Sequence, residues 1–141
     1  MIFVKISHTW SNGGGLSIVR PYYEQRGVQN TNLICIIDQY IFNNCTSEKL
    51  GGAIYISNID IRIINKSIFL KNKAFGGGAI YVEKLKDFIE IGNLFVSNTA
   101  IISHGGAIYA KQFPYMYVKN VSFQENMCNR FGGGMLLYSI K

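Results

Sequence analysis

Short runs of apolar residues alternate with polar turns along the chain, and none of them has the spacing of an amphipathic helix. Between Gly77 and His104 the apolar runs are AIYV, FIEI and LFV, which are separated by EKLKD and GN and followed by SNTAIISH. The next stretch repeats this order with AIYA, YMYV and VSF. The pattern therefore predicts an all-β chain in which three short strands and three turns make one unit.

This unit recurs with a nearly constant period. The pentapeptide GGAIY occurs at 51–55, 77–81 and 105–109, and glycine pairs at 14–15 and 133–134 extend the series. Successive pairs are 37, 26, 28 and 28 residues apart. A repeat of this length is typical of a solenoid, in which equivalent residues of successive turns stack. We therefore predict a right-handed parallel β-helix solenoid of about five rungs of three short strands, as a single domain over residues 1–141.

A second motif, F-x-x-N, precedes the later glycine pairs. It occurs at Phe69–Asn72, Phe95–Asn98 and Phe123–Asn126. YIFNNC fits it loosely, with Ile41 or Phe42 in the aromatic position and Asn44 in the asparagine position. In rungs stacked about 4.8 Å apart, such asparagines can hydrogen-bond to one another as a ladder. Asparagine and glycine positions are therefore predicted to be structural, the glycines because the turn needs a positive φ or close backbone contact. The residues with these predicted roles are Asn72, Asn98, Asn126, Gly52, Gly78 and Gly106.

The first unit is longer than the others, and its excess falls in RPYYEQRGVQNTN, residues 20–32. Insertions in solenoids map to loops on one face, often the binding face. The candidate residues for a ligand or partner are Arg20, Tyr22, Tyr23 and Arg26, which could stack on a sugar or bind an acidic group. The alternative is a tolerated surface insertion.

Composition excludes several other classes of protein. The chain is 48% hydrophobic and 16% charged, which is typical of a globular domain. Its net charge of +6 comes from scattered basic residues without a Lys/Arg run, so nucleic-acid binding is not predicted. No apolar stretch approaches the eighteen or so residues that a transmembrane helix needs.

Candidate chemistry is sparse. Cys35, Cys45 and Cys128 are odd in number and form no CxxC, so neither a disulfide framework nor a zinc site is indicated. Cys45 and Cys128 are interpreted as small residues at similar turn positions, three rungs apart. His104 precedes one glycine pair only and is interpreted as a turn residue. No cofactor or metal ion is predicted.

Asp60 and Asp87 are the best candidates for a catalytic acid pair. They follow their glycine pairs at similar offsets, and Arg62 and Lys86 are close in sequence. Clustered carboxylates on successive turns are what a carbohydrate-cleaving β-helix enzyme needs. The alternative is that these charges keep the turns soluble and protect the edges.

Three sequons, N-x-[ST], are possible N-glycosylation sites at Asn44, Asn65 and Asn120. In a secreted eukaryotic protein such asparagines accept glycans on exposed turns. Chance is the alternative in a chain this rich in asparagine and serine.

The combination of GGAI with F-x-x-N resembles the repeat of the chlamydial-type polymorphic outer-membrane proteins. The likeness covers roughly residues 35 to 138 and weakens at both ends, where GGGLSI and GGGMLL keep the glycines and lose Ala-Ile. The resemblance implies a right-handed parallel β-helix, exposure on a cell surface, and adhesion. It supplies no catalytic residue.

The sequence therefore favours a non-enzymatic, extracellular or cell-surface structural module for adhesion or assembly. The alternatives are a fragment of a carbohydrate-active β-helix enzyme, a polysaccharide lyase or hydrolase, and a scaffold subunit of a large complex. The chain starts with a strand-like MIFVKI and ends in GGGMLLYSIK, just after a new rung begins. We therefore expect further rungs or other protein chains to stack end to end, with glycans or host cell-surface molecules as further possible partners.

Overall fold

The computed structural model describes residues 2–4, 13–19 and 34–138, with the backbone alone for the first of these ranges. Within them the chain is all-β, and its parallel strands coil into a β-solenoid of about four turns. The predicted fold class is confirmed. Over the same residues there is no helix long and apolar enough to cross a membrane.

Two of the strands are twelve residues long, and all the others are short. They are β1 (Ile2–Val4), β2 (Leu16–Val19), β3 (Ile34–Asp38), β4 (Tyr40–Asn43), β5 (Ile54–Asn65), β6 (Ile68–Leu70), β7 (Lys73–Ala74), β8 (Ile80–Ile91), β9 (Leu94–Val96), β10 (Thr99–Ala100), β11 (Ile108–Lys111), β12 (Tyr115–Lys119), β13 (Ser122–Gln124), β14 (Met127–Cys128) and β15 (Met135–Tyr138).

Three parallel sheets form the sides of the coil. The first sheet has the order β2-β5-β8-β11-β15, with β3 paired to β5 and β12 paired to β8. The second sheet has the order β1-β4-β6-β9-β13, and the third has β7-β10-β14. Each strand therefore pairs with the equivalent strand one turn away, which places equivalent residues in columns along the coil.

Each of the three turns that the structure describes throughout, which start at Gly51, Gly77 and Gly105, has four corners, and a residue with positive φ stands at each corner. In the turn that starts at Gly51 (φ 68°) the others are Asn58 (62°), Lys66 (45°) and Lys71 (51°). Residues with a Cβ rarely adopt this backbone region, and glycine and asparagine do so most readily. The corner that opens GGAIY is glycine at every level of the coil, whereas the other three corners accept lysine, glutamine, serine or glutamate.

The core is built on columns of identical side chains. The phenylalanines of F-x-x-N form a stack with Phe42, their ring centroids 5.1, 4.7 and 5.2 Å apart and their planes within 12° of parallel. Phe42, Phe69 and Phe95 are at most 1% exposed. Phe42, rather than Ile41, therefore occupies the aromatic position of the earliest motif.

Two predicted details are wrong. The five glycine anchors enclose four intervals, so the coil has about four turns rather than five. In the middle turns, moreover, two of the predicted strands form one strand, because pairing continues past the corners at Asn58 and Lys84. A two-residue strand of the third sheet adds a short side to the turn.

The predicted glycine alignment is also displaced by one residue at both ends. Leu16 pairs with Ile54, and Met135 pairs with Ile108. The equivalents of Gly51–Gly52 are therefore Gly13–Gly14 and Gly132–Gly133, while Gly15 and Gly134 take the alanine position of GGAIY. A run of three glycines does not define its own register, and only the strand pairing does so.

Candidate functional site: the stacked columns

In the first four pairs, the second glycine lies where the backbones of two successive turns touch. A Cβ added to Gly78 would overlap the carbonyl oxygen of Gly106 and come within 2.6 Å of the Thr99 nitrogen. Gly52 faces the carbonyl oxygen of Gly78 in the same way, and Gly106 faces that of Gly133. At these positions the close approach of the backbone requires glycine, and the positive φ belongs to the first glycine of the pair.

Asn72, Asn98 and Asn126 form a hydrogen-bonded column just after the phenylalanine stack. The Nδ2 group of Asn72 donates to Oδ1 of Asn98 at 2.9 Å, and that of Asn98 donates to Oδ1 of Asn126 at 2.9 Å. The main-chain N–H groups of Asn72 and Asn98 donate to these same two oxygens, each at 3.0 Å. Each Nδ2 also donates to the carbonyl oxygen of a phenylalanine one turn earlier. The column joins side chains and backbone of successive turns.

The fourth member of this column is Cys45, and not Asn44. Phe42 pairs with Phe69, so Cys45 is level with Asn72, and its N–H donates to Asn72 Oδ1 at 2.9 Å. Asn44 stands at the preceding corner with a φ of 54°. The predicted equivalence of Cys45 and Cys128 is therefore wrong, because Cys128 pairs with Ala100 in the third sheet.

The three sequon asparagines differ in environment. Asn44 and Asn120 are exposed at corners of the coil. Asn65 is half-buried and donates from Nδ2 to Asp38 at 2.7 Å, and the serine of its sequon, Ser67, is fully buried. The geometry favours Asn44 and Asn120 as acceptors, and glycosylation stays a prediction. The predicted ligand loop, with Arg20, Tyr22, Tyr23 and Arg26, lies outside the described residues.

Asp60 and Asp87 do not share a column. Asp87 pairs with Ile61, so Asp60 is level with Lys86, whose Nζ lies 2.8 Å from its carboxylate. The two offsets from the glycine pairs differ by one residue, and in a strand one residue separates the two faces. Arg62, which was expected beside them, points into the core.

Arg62 and Glu90 form an ion pair inside the coil that the sequence analysis missed. Both side chains are 0% exposed, and Nη2 of Arg62 contacts Oε1 of Glu90 one turn away. The guanidinium also lies over the Phe88 ring, 4.2 Å from its centroid. Burial raises the pKa of the Glu90 carboxyl, although Arg62 and Asn93 counteract it. The sequence carries no signal that these two charges are buried, because IRII and FIEI have apolar residues on both faces and only the strand pairing and burial show that Arg62 and Glu90 lie inward.

A tyrosine column lies outside this core. Tyr55, Tyr81 and Tyr109 are at most 8% exposed and pack with Leu50 and Leu136. Glu83 accepts hydrogen bonds from the hydroxyl groups of Tyr55 at 2.9 Å and Tyr81 at 3.1 Å. Burial, reinforced by the charge of Glu83, raises the pKa of Tyr81. The tyrosines of GGAIY are therefore packing residues whose rings are not available to a ligand.

His104 packs between aromatic rings. Its ring stacks on Phe131 and meets Tyr109 edge-on, with centroids 5.4 Å away in both cases. Among the described residues no group of three histidine, cysteine or carboxylate side chains could hold a metal ion.

The family comparison matches two repeats of the chain. The Chlamydia polymorphic membrane protein (Chlamydia_PMP) repeat matches residues 66–83 and 94–111. Each segment contains one F-x-x-N motif and the GGAIY that follows it, so the predicted resemblance is confirmed for these two repeats. No curated protein and no solved structure matches the chain.

Proposed function

We propose that this chain is a non-enzymatic structural module, extracellular or on a cell surface, which assembles end to end with a further β-helical rung. The repeat and the parallel β-solenoid fit a surface β-helix module. Asp60 forms an ion pair with Lys86, and Asp87 lies in a different column, so the two carboxylates do not form the stacked pair that a carbohydrate-active enzyme would need. This supports a structural role over the enzyme alternative.

The open face of the last rung carries this proposal. Strands β12, β13, β14 and β15 each pair on one side only among the described residues. Inward residues that are covered in earlier turns are uncovered here: Val118 is 38% exposed, whereas Ile64 and Glu90 in its column are 0% exposed. Unpaired strand edges over uncovered apolar side chains favour the addition of another strand.

The asparagine column indicates which kind of strand fits. The main-chain N–H groups of Asn72 and Asn98 donate to the next asparagine, but that of Asn126 has no acceptor in the described part of the chain. A parallel rung with its own F-x-x-N motif would supply the missing Oδ1. A second copy docked open face to open face would instead bring two donors together. The proposed partner is therefore a further rung of the same repeat type, from this or another protein chain.

The test measures association as a function of concentration by light scattering. Val118→Lys places a charge on the open face, where its side chain can still reach water, and should reduce association. Gln124→Lys adds the same charge at an exposed, outward position of β13 and should leave association unchanged. The proposal fails if the wild-type protein stays monomeric at all concentrations with dispersed amide signals through Tyr138, or if both variants behave alike.

A further inference from the structure

The second half of the first sheet has an apolar outer face as well as an apolar inner one. Its four levels are Ile34–Asp38, 61–65, 87–91 and Tyr115–Lys119, which pair in register. Side chains at the first, third and fifth positions of each level point outward, because those between them enter the core. We call these outward residues the Ile face. They are Ile34, Ile36, Asp38, Ile61, Ile63, Asn65, Asp87, Ile89, Ile91, Tyr115, Tyr117 and Lys119.

Eight of these twelve side chains are isoleucine or tyrosine, and several are open to solvent. Ile36 is 64% exposed, Ile34 and Tyr115 are 53% exposed, and Tyr117 is 41% exposed. The outward tyrosines on the other half of the same sheet are at most 8% exposed. Contiguous exposed apolar surface of this kind marks an interaction site. Because the two middle strands of the face are paired on both sides, a partner that covers the whole face must pack flat against it.

We propose that the Ile face binds a second copy of this chain, sheet against sheet, around a twofold axis parallel to the strands. Such an axis keeps the position along each strand and reverses the order of the levels. The first level then meets the fourth, and the second meets the third. Ile36 is placed opposite the partner's Tyr117, and Ile63 is placed opposite the partner's Ile89.

Charge complementarity selects this arrangement. Asp38 and Lys119 occupy the same strand position at the first and fourth levels. The proposed axis places each Asp38 opposite Lys119 of the other copy, which forms two symmetric ion pairs at one margin. A twofold axis along the coil would instead place Asp38 opposite Ile34 and Lys119 opposite Tyr115, so both charges would face apolar side chains. Asp87 lies opposite an isoleucine under either axis, Ile61 or Ile91, and therefore does not distinguish the two. An anionic membrane surface fits less well, because Asp38 and Asp87 lie within the face.

The size of the face sets the strength of the contact. Four strands about 4.8 Å apart and five residues about 3.3 Å apart cover roughly 300 Å². Standard interfaces bury about 800 Å² per partner. We therefore expect a weak, concentration-dependent dimer. This contact uses side chains on the flank of the coil, so it is independent of the end-to-end assembly proposed above, which uses strand edges.

The experiment is a charge exchange followed by sedimentation equilibrium, with every protein carrying Val118→Lys to suppress end-to-end association. Asp38→Lys alone, or Lys119→Asp alone, turns both ion pairs into repulsions and should raise the dimer Kd about tenfold. In an equimolar mixture of the two variants every pair is again of opposite sign, so the heterodimer should form with nearly the affinity of the parent protein.

Two further variants locate the contact on the molecule. Ile63→Asp, at the centre of the Ile face, should abolish the dimer. Leu70→Asp makes the same change at an outward position of the second sheet and should not affect it. A parent protein that stays monomeric, a mixture that associates no better than the single variants, or a dimer lost through Leu70→Asp and kept in Ile63→Asp would overturn the proposal.

Discussion

The side-chain amide of Asn98 donates to Oδ1 of Asn126, 2.9 Å away on the next turn, while its own oxygen accepts from Asn72 on the turn before. Asn98 is fully buried. Its single carboxamide therefore bonds to main-chain and side-chain groups on the turn before and to a side chain on the turn after, and so links three levels of the coil.

Replacing Asn98 with alanine should lower the free energy of unfolding by about 1–3 kcal/mol, because the N–H groups of Asn72 lose a buried acceptor. Asn43→Ala, at an exposed position of β4, is the control and should change stability little. Urea denaturation of both variants measures the difference. An unchanged midpoint for Asn98→Ala, combined with loss of a binding activity, would mean that the column is a ligand site.

Gly78 and Gly92 should differ in how much stability the protein loses when they are substituted. Gly78→Val should destabilise the fold by more than about 1 kcal/mol, since the added atoms overlap the backbone of the next turn and the two turns cannot separate. Gly92→Asn is the matched control. A Cβ added to Gly92 would have its nearest neighbour, Cγ of Lys66, at 3.6 Å, which is an ordinary van der Waals contact, and Asn120 occupies the same corner one turn later with a positive φ. Gly92→Asn should therefore change stability little. Thermal unfolding checks both variants, and equal melting temperatures would contradict the proposed close contact.

The buried ion pair should be sensitive to the loss of either partner and insensitive to the loss of both. Glu90→Leu leaves the Arg62 guanidinium buried and unpaired, which should cost about 3–5 kcal/mol. The double variant Arg62→Met/Glu90→Leu replaces the pair with apolar side chains of similar size and should recover most of that loss. Chemical denaturation of the wild type, the two single variants Glu90→Leu and Arg62→Met, and the double variant gives the coupling energy. Additive effects of the two substitutions would show that the side chains do not act as a pair.

Tyr81 should make the protein sensitive to alkaline pH. Its pKa is raised in the folded state by burial and by Glu83, so the unfolded chain loses this proton first. The contribution of Tyr81 to stability is therefore complete below the ordinary tyrosine pKa of about 10 and is lost as the pH rises above it. Tyr81→Phe should flatten the fall in stability between about pH 9 and pH 11. Denaturation midpoints across this range, with Tyr115→Phe as the exposed control, test the sign.

The sequence by itself determined the fold class, the stacking of equivalent residues in columns and, within the three GGAIY repeats, the position of the glycine corner. These features repeat in every turn. Because the turns of a solenoid stack in register, residues at the same position of the period lie against one another, so the period in the sequence predicts the tertiary contacts. The resemblance to the polymorphic membrane protein repeat could be predicted for the same reason, since the matched residues are those that every turn needs.

The tertiary structure alone decided the features that occur once. The register across Gly13–Gly15 depends on which backbone groups pair. The column of Asp60 likewise depends on the pairing, because its offset from the glycine pair differs from that of Asp87 by one residue. The ion pair of Arg62 with Glu90 joins residues from neighbouring turns and has no repeated signal. The Ile face could not be predicted from alternation, because its strands are apolar on both sides and only their position in the coil shows which side faces water.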